Sequence, residues 1–145
     1  KKPMINVTNF NRVRESGKST QALLMMNINP SNTILVAHID RRVNELRELF
    51  FELTDKSSYS QHLKVDRFHY EKNFMSINEF LDTKGIKKRN VIFDDCFISS
   101  SIDEVKMTDK LLDFNISNAF FFGNTSWDFG KERKKLLKQI NYIEL

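Results

Sequence analysis

The sequence predicts an α/β protein, a mainly parallel central sheet with helices on both faces. Two observations carry that expectation. Short apolar runs, several of them β-branched, alternate along the chain with amphipathic helical stretches, the pattern of repeated β–α units. Three polar sequences then fall just after such runs, at strand carboxyl ends, where open parallel sheets bind ligands.

Residues 4–10, MINVTNF, alternate apolar and polar as a half-buried strand does. Ala22, Leu23, Leu24, Met25 and Met26 belong to a helix that stops near NINPSN, where Pro30 and its flanking asparagines interrupt it. TILVAHI (33–39) is apolar and β-branched enough for a buried strand. Asp40 can cap a helix through RRVNELRELFFEL, with Val43, Leu46, Leu49, Phe50 and Leu53 on one stripe. Within 57–76, HLKVDRFHY reads as a short strand, and SINEFLDTKGI follows as a capped helix with Gly85 near its end. NVIFDD (90–95) is a strand finishing in two carboxylates. SIDEVKMTDKLLDFNI is a helix, NAFFFGNT (118–125) a strand, KERKKLLKQI a basic helix and NYIEL a last strand.

With 145 residues, the chain is expected to form a single domain, 1–145, large enough for a real core. A hydrophobic content of 40% with 29% charged residues fits a soluble globular protein. No apolar run approaches the ~20 residues of a membrane span, so no membrane segment is expected. One cysteine, Cys96, excludes an internal disulfide and fits a reducing compartment. The net charge of +4 leans toward polyanionic partners, with basic clusters at 84–89 and 131–138; solvated faces around an apolar core explain either cluster equally well.

The polar stretch after the first strand ends in Gly17-Lys18-Ser19-Thr20. A phosphate-binding loop needs inward backbone N–H groups, a helix amino end behind them, a lysine for the terminal phosphates and a hydroxyl for Mg²⁺. Arg14, Glu15, Ser16, Gly17, Lys18, Ser19 and Thr20 form the candidate nucleotide-binding segment, with Ser19 as the metal-binding hydroxyl. The loop departs from G-x-x-x-x-G-K-[ST] because Arg12 stands at its first glycine. Arg12 and Arg14 point either at phosphate or base, or to solvent.

Asp94 and Asp95 follow Val91-Ile92-Phe93. A carboxylate leaving a buried strand can hold Mg²⁺, here Asp94, and its neighbour Asp95 can orient the attacking water as base. The alternative is an acidic cap on the next helix. Asn124 and Thr125 end the strand of three phenylalanines, where an amide or hydroxyl can sense a γ-phosphate; a turn at Gly123-Asn124 is the plainer reading. His38, His62 and His69 lack metal spacing.

VIFDDC, then TDKLLDFNISNAFFFGNTSWDF, then RKKLLKQINYIEL, together resemble the genome-packaging ATPases of large DNA viruses, the poxvirus-type branch of the FtsK–HerA superfamily. The resemblance covers nearly the whole chain through short motifs. It implies a three-layer, RecA-like P-loop NTPase in which Lys18 and Ser19 match the loop and Asp94 and Asp95 the acidic pair, Asp95 standing where many such ATPases carry Glu. Asn124 or Thr125 stands at the family's sensor glutamine, and Arg133 where the family places an arginine acting on a neighbouring subunit's nucleotide. The implied cofactors are ATP and Mg²⁺, and the implied partners double-stranded DNA, further copies in a homo-oligomeric ring, and capsid or portal proteins. The implied location is the host cytoplasm or viral factory, with virion association. The departures at Arg12 and at the sensor support one alternative, a nucleotide-binding scaffold or regulatory protein with little or no hydrolysis; a small P-loop kinase on the same loop is a further one. Against the kinase, the sequence has no clear lid or acceptor-binding segment.

Overall fold

The computed structural model describes residues 5–10, 18–56, 70–85, 87–96, 106–107, 109–111, 116–122 and 140–144. The strands and α-helices among the described residues are, in chain order, β1 (Ile5–Asn9), α1 (Lys18–Ile28), β2 (Thr33–Ala37), α2 (Asp40–Lys56), β3 (Phe74–Ser76), α3 (Ile77–Asp82), β4 (Asn90–Asp94), β5 (Asn118–Phe122) and β6 (Ile140–Glu144). Residues 106–107 and 109–111 are helical as well. The six strands form one sheet in the order β3-β2-β4-β5-β1-β6, and every pairing is parallel.

Parallel strands covered on both faces are apolar on both sides, which is why β2 (TILVA) is buried at all five positions. One face carries Ile34, Val36, Val91, Phe93, Ala119 and Phe121 and packs on Ile77 and Phe80 of α3 and on Met107 and Leu111. The opposite face carries Leu35, Phe74, Ile92 and Phe122 and packs on Leu23 and Met26 of α1 and on Val43, Leu46 and Phe50 of α2. The result is three layers, helix–sheet–helix, in the RecA-like arrangement expected from the sequence.

Rings lock the layers together. Phe93 and Phe121, on neighbouring strands, stack at 4.7 Å between centroids, and Phe80 meets Phe93 edge-on at 5.4 Å. Phe10, just past β1, stacks on Phe122 at 4.5 Å, while its N–H donates to the Phe121 carbonyl over 2.8 Å. These contacts hold the carboxyl ends of β1, β4 and β5 level, and the candidate site lies there.

A row of asparagines sets the register at the other end. Asn141 Nδ2 donates to Asn6 Oδ1 (3.3 Å), Asn6 Nδ2 to Asn118 Oδ1 (3.4 Å), and Asn118 Nδ2 to Asn90 Oδ1 (2.9 Å). Asn90 Nδ2 continues the row to Thr33 Oγ1 at 3.4 Å. These residues face one another in the strand registers, so a one-residue slip of any strand would break the row and turn its apolar set to the wrong face.

Three local expectations are corrected. Phe74–Ser76 is an edge strand, where the sequence reading gave Phe74 and Met75 no element and began a helix at Ser76. The helix after it stops at Asp82, with Thr83 as its extended cap, and Gly85 lies beyond at φ +72°, in the left-handed region glycine favours. On α2, Phe51 and Thr54 are buried while Leu53 is 40% exposed. Phe51 turns inward because β3 adds a strand at that edge, and its ring packs 5.6 Å from Phe50 and 6.3 Å from Phe74. The candidate strand 62–70 lies outside the described residues except Tyr70, which is helical; the expected basic helix 131–140 also lies outside them except Ile140, which opens β6 instead of ending a helix.

Candidate functional site

Helix α1 begins at Lys18 and crosses the sheet face over β5, β4 and β2, packing also against α2. That path brings its first turn from β1 toward the carboxyl end of β4, although β5 separates those two strands. Parallel β–α units aim helix amino ends, and hence free N–H groups, at this edge of the sheet.

Asp94 is the last residue of β4 and shares its face with Ile92, so it points to the α1–α2 side. It is only 1% exposed, and neither carboxylate oxygen has a hydrogen-bond partner among the described residues. Burial pushes its pKa above the ordinary aspartate value, and the neighbouring charge of Asp95 pushes the same way. Arg42 and, more weakly, His38 oppose that shift.

Arg42 is the residue that sequence reasoning missed. It stands in the first turn of α2, and its guanidinium enters the space between α1 and β4. Nη2 donates to Ser19 Oγ over 2.5 Å, while Nε lies 3.5 Å from Asp94 Oδ2, an ion-pair distance. Nη1 donates to Glu45 Oε2 over 3.1 Å. Two residues chosen from the sequence as metal ligands, Ser19 and Asp94, are thus joined through one cation. The sequence did hold a signal: Arg41 and Arg42 sit at the amino end of a helix, where the macrodipole disfavours positive charge. Cations there call for a nearby anion, and Asp94 is one.

Asp95 does not continue the strand. Its backbone turns to φ +47°, an uncommon conformation for a residue with a Cβ, and its N–H donates to the Phe122 carbonyl over 2.9 Å. The bend leaves Asp95 half-buried at the ends of β4 and β5. Backbone strain of this kind gathers at functional sites. Cys96, the next residue, is buried with Sγ 3.3 Å from the Val36 carbonyl, and burial drives its thiol pKa far up.

Of the remaining candidates, Thr20 is exposed on α1. Lys18 opens α1. Arg12, Arg14, Glu15, Ser16, Gly17, Asn124, Thr125 and Arg133 lie outside the described residues. A cavity of about 210 Å³ sits at the opposite end of the sheet, bounded by Met25, Ile28, Thr33, Asn90, Ile92 and Phe120, and no candidate site residue lines it.

The donor set can be tested against a metal. Ser19 and Asp94 offer hard oxygens, and the buried carboxylate has hydrogen-bonding capacity unused among the described residues, which suits Mg²⁺. No group of three or more His, Cys, Asp or Glu able to hold a metal occurs among the described residues, so an ion here would take further ligands from phosphate and water, as Mg²⁺ commonly does. Among the described residues no helix is long and apolar enough to cross a membrane. The chain matches no model of a known protein family, and no curated protein matches it.

Proposed function

We propose that this chain is an ATP-hydrolysing motor subunit that moves double-stranded viral DNA into a capsid. One observation carries the reading: a hydroxyl in the first turn of α1 and a buried, underpaired carboxylate at the end of β4, 75 positions apart in sequence, converge on a single cation. Sites that bind a nucleotide with its metal need that pairing of hydroxyl and carboxylate. The family resemblance adds the DNA-packaging role.

In this reading the backbone N–H groups around residues 16–20 cradle the phosphates and Lys18 reaches the terminal ones. Ser19 and Asp94 would hold Mg²⁺, which would supply charge neutralisation to the phosphates. Asp95 takes the role of base toward the attacking water. Asn124 or Thr125 reports loss of the γ-phosphate, and Arg133 reaches a neighbouring subunit's nucleotide in a ring. Asn118–Phe122 lies between the loop strand and the acidic strand, so a polar group following it suits the reporting role.

A second reading, nucleotide binding with little turnover, draws on the left-handed backbone of Asp95 and on Arg12 at the loop's first glycine position. Mg²⁺-dependent ATP hydrolysis with and without duplex DNA separates them, comparing wild type with Lys18→Ala and Asp95→Asn. DNA-stimulated turnover lost in both variants supports the motor. Tight ATP binding without turnover supports the second reading, and turnover that requires a small acceptor supports a kinase instead.

A further inference from the structure

We propose that Arg42 is a resident counter-cation of the metal site, one that an incoming divalent ion must displace from between Ser19 and Asp94. The inference rests on the nucleotide-site reading above and adds to it a residue that controls how the site loads.

The geometry has three parts. The guanidinium touches both candidate ligands at once, through Nη2 to Ser19 Oγ at 2.5 Å and through Nε to Asp94 Oδ2 at 3.5 Å. A planar fork with five donors can span two acceptors in this way, which the compact ammonium of lysine cannot do so readily. The contact with Asp94 is loose: the carboxylate is buried to 1% exposure, yet the distance is that of an ion pair, and among the described residues neither oxygen has a hydrogen-bond partner. Asp94 is therefore neutralised in part but not satisfied, and a small divalent ion with its waters could serve it better than the fork does. Finally, Arg42 has somewhere to go. Its side chain is 32% exposed, and Glu45, itself 52% exposed on the same helix, already accepts from Nη1 at 3.1 Å. Releasing Ser19 and Asp94 while keeping Glu45 needs only side-chain rotation about an anchored end.

Among the described residues, three groups contact the guanidinium. Ser19 comes from α1, Asp94 from β4 and Glu45 from α2. Arg41, next along the chain, has an 85% exposed side chain and pairs with Glu45 Oε1 at 3.7 Å. That neighbour provides an internal control: removing Arg41 changes net charge as much as removing Arg42 does, without touching Ser19 or Asp94.

Mn²⁺ alone is a suitable probe, followed by loss of the free-ion electron paramagnetic resonance signal, first without nucleotide and then with ATP. Arg42→Ala is expected to bind Mn²⁺ about tenfold more tightly than wild type, the worth of one charge-assisted contact removed from competition. Arg42→Lys, which keeps the charge and loses the fork, should fall between the two. Arg41→Ala should stay within about twofold of wild type, since exposed pairs are worth little. The gain in Arg42→Ala should vanish in an Asp94→Asn background. Equal affinities for wild type and Arg42→Ala overturn the proposal, as does an equal gain in Arg41→Ala, which would reduce the effect to net charge. ATP affinity measured on the same samples keeps the two ideas apart. Normal ATP binding with no Arg42 effect removes this inference alone, whereas an Arg42 effect on Mn²⁺ with no ATP binding in any variant removes the nucleotide reading.

Discussion

Asp94→Asn should stabilise the protein in the absence of ligand while disabling its site. The wild-type carboxylate is buried to 1% exposure, has no hydrogen-bond partner among the described residues, and is only loosely paired with Arg42 at 3.5 Å. Replacing a poorly satisfied buried ion by a neutral group of the same shape is neutral to stabilising, and here a gain of about 1 kcal/mol is expected because Arg42 keeps Glu45 and is not stranded. For a domain of this size that corresponds to a rise in Tm of roughly 2–4 °C. The sign depends on pH. Burial raises the folded-state pKa of Asp94 above its unfolded value, so folding is favoured by protonation. The stability this contributes to wild type is fully present below the unfolded pKa and is lost as pH rises through the folded pKa. The advantage of Asp94→Asn should therefore be large near pH 7 and shrink toward pH 4. Thermal melts in EDTA across that range measure it. Saturating Mg²⁺-ATP should reverse the order, since a ligand at 100 times its Kd stabilises only the protein that binds it, by about 2.7 kcal/mol. An Asp94→Asn protein less stable than wild type at pH 7, or a gap that does not change with pH, would refute the argument.

Three further outcomes follow from particular contacts. Cys96, buried with its thiol pKa raised, should react with a thiol reagent only at the rate of unfolding, and fast labelling in native buffer would contradict that placement. Asn118→Ala interrupts the asparagine row at its centre, removing the 2.9 Å and 3.4 Å bonds, and should cost about 1–2 kcal/mol in denaturant melts with no change in ATP affinity. Asp95→Gly relieves the left-handed backbone and should add about 0.5–1 kcal/mol of stability while abolishing any turnover; loss of stability would show that the side chain holds the bend.

Much of the fold was legible because buried parallel strands are apolar on both faces and so stand out as short runs. TILVA and NVIFD are such runs, and both became central strands. The edge strand Phe74–Ser76 escaped notice for the converse reason. Three residues are too few to show a period, and Ser76 at once caps the next helix by accepting from the Glu79 N–H at 3.2 Å. Leu53 was misplaced because a helical stripe read from sequence leaves its rotation uncertain by one position, and packing against Phe74 decided it.

By itself the sequence determined the alternation of strands and helices, and it put Ser19 and Asp94 at ends of elements where a ligand would find them. Those are local properties, written in periodicity and in short polar motifs. Only the tertiary structure decided that β5 lies between the loop strand and the acidic strand, that the backbone leaves the strand at Asp95 with positive φ, and that Arg42 stands between Ser19 and Asp94. Strand order depends on long-range pairing, and the reach of an arginine depends on how its helix is rotated against the sheet. Neither leaves a mark in the spacing of residues along the chain, which is why the cation in the candidate metal site came from a helix read from the sequence only for its Asp40 cap and its apolar stripe.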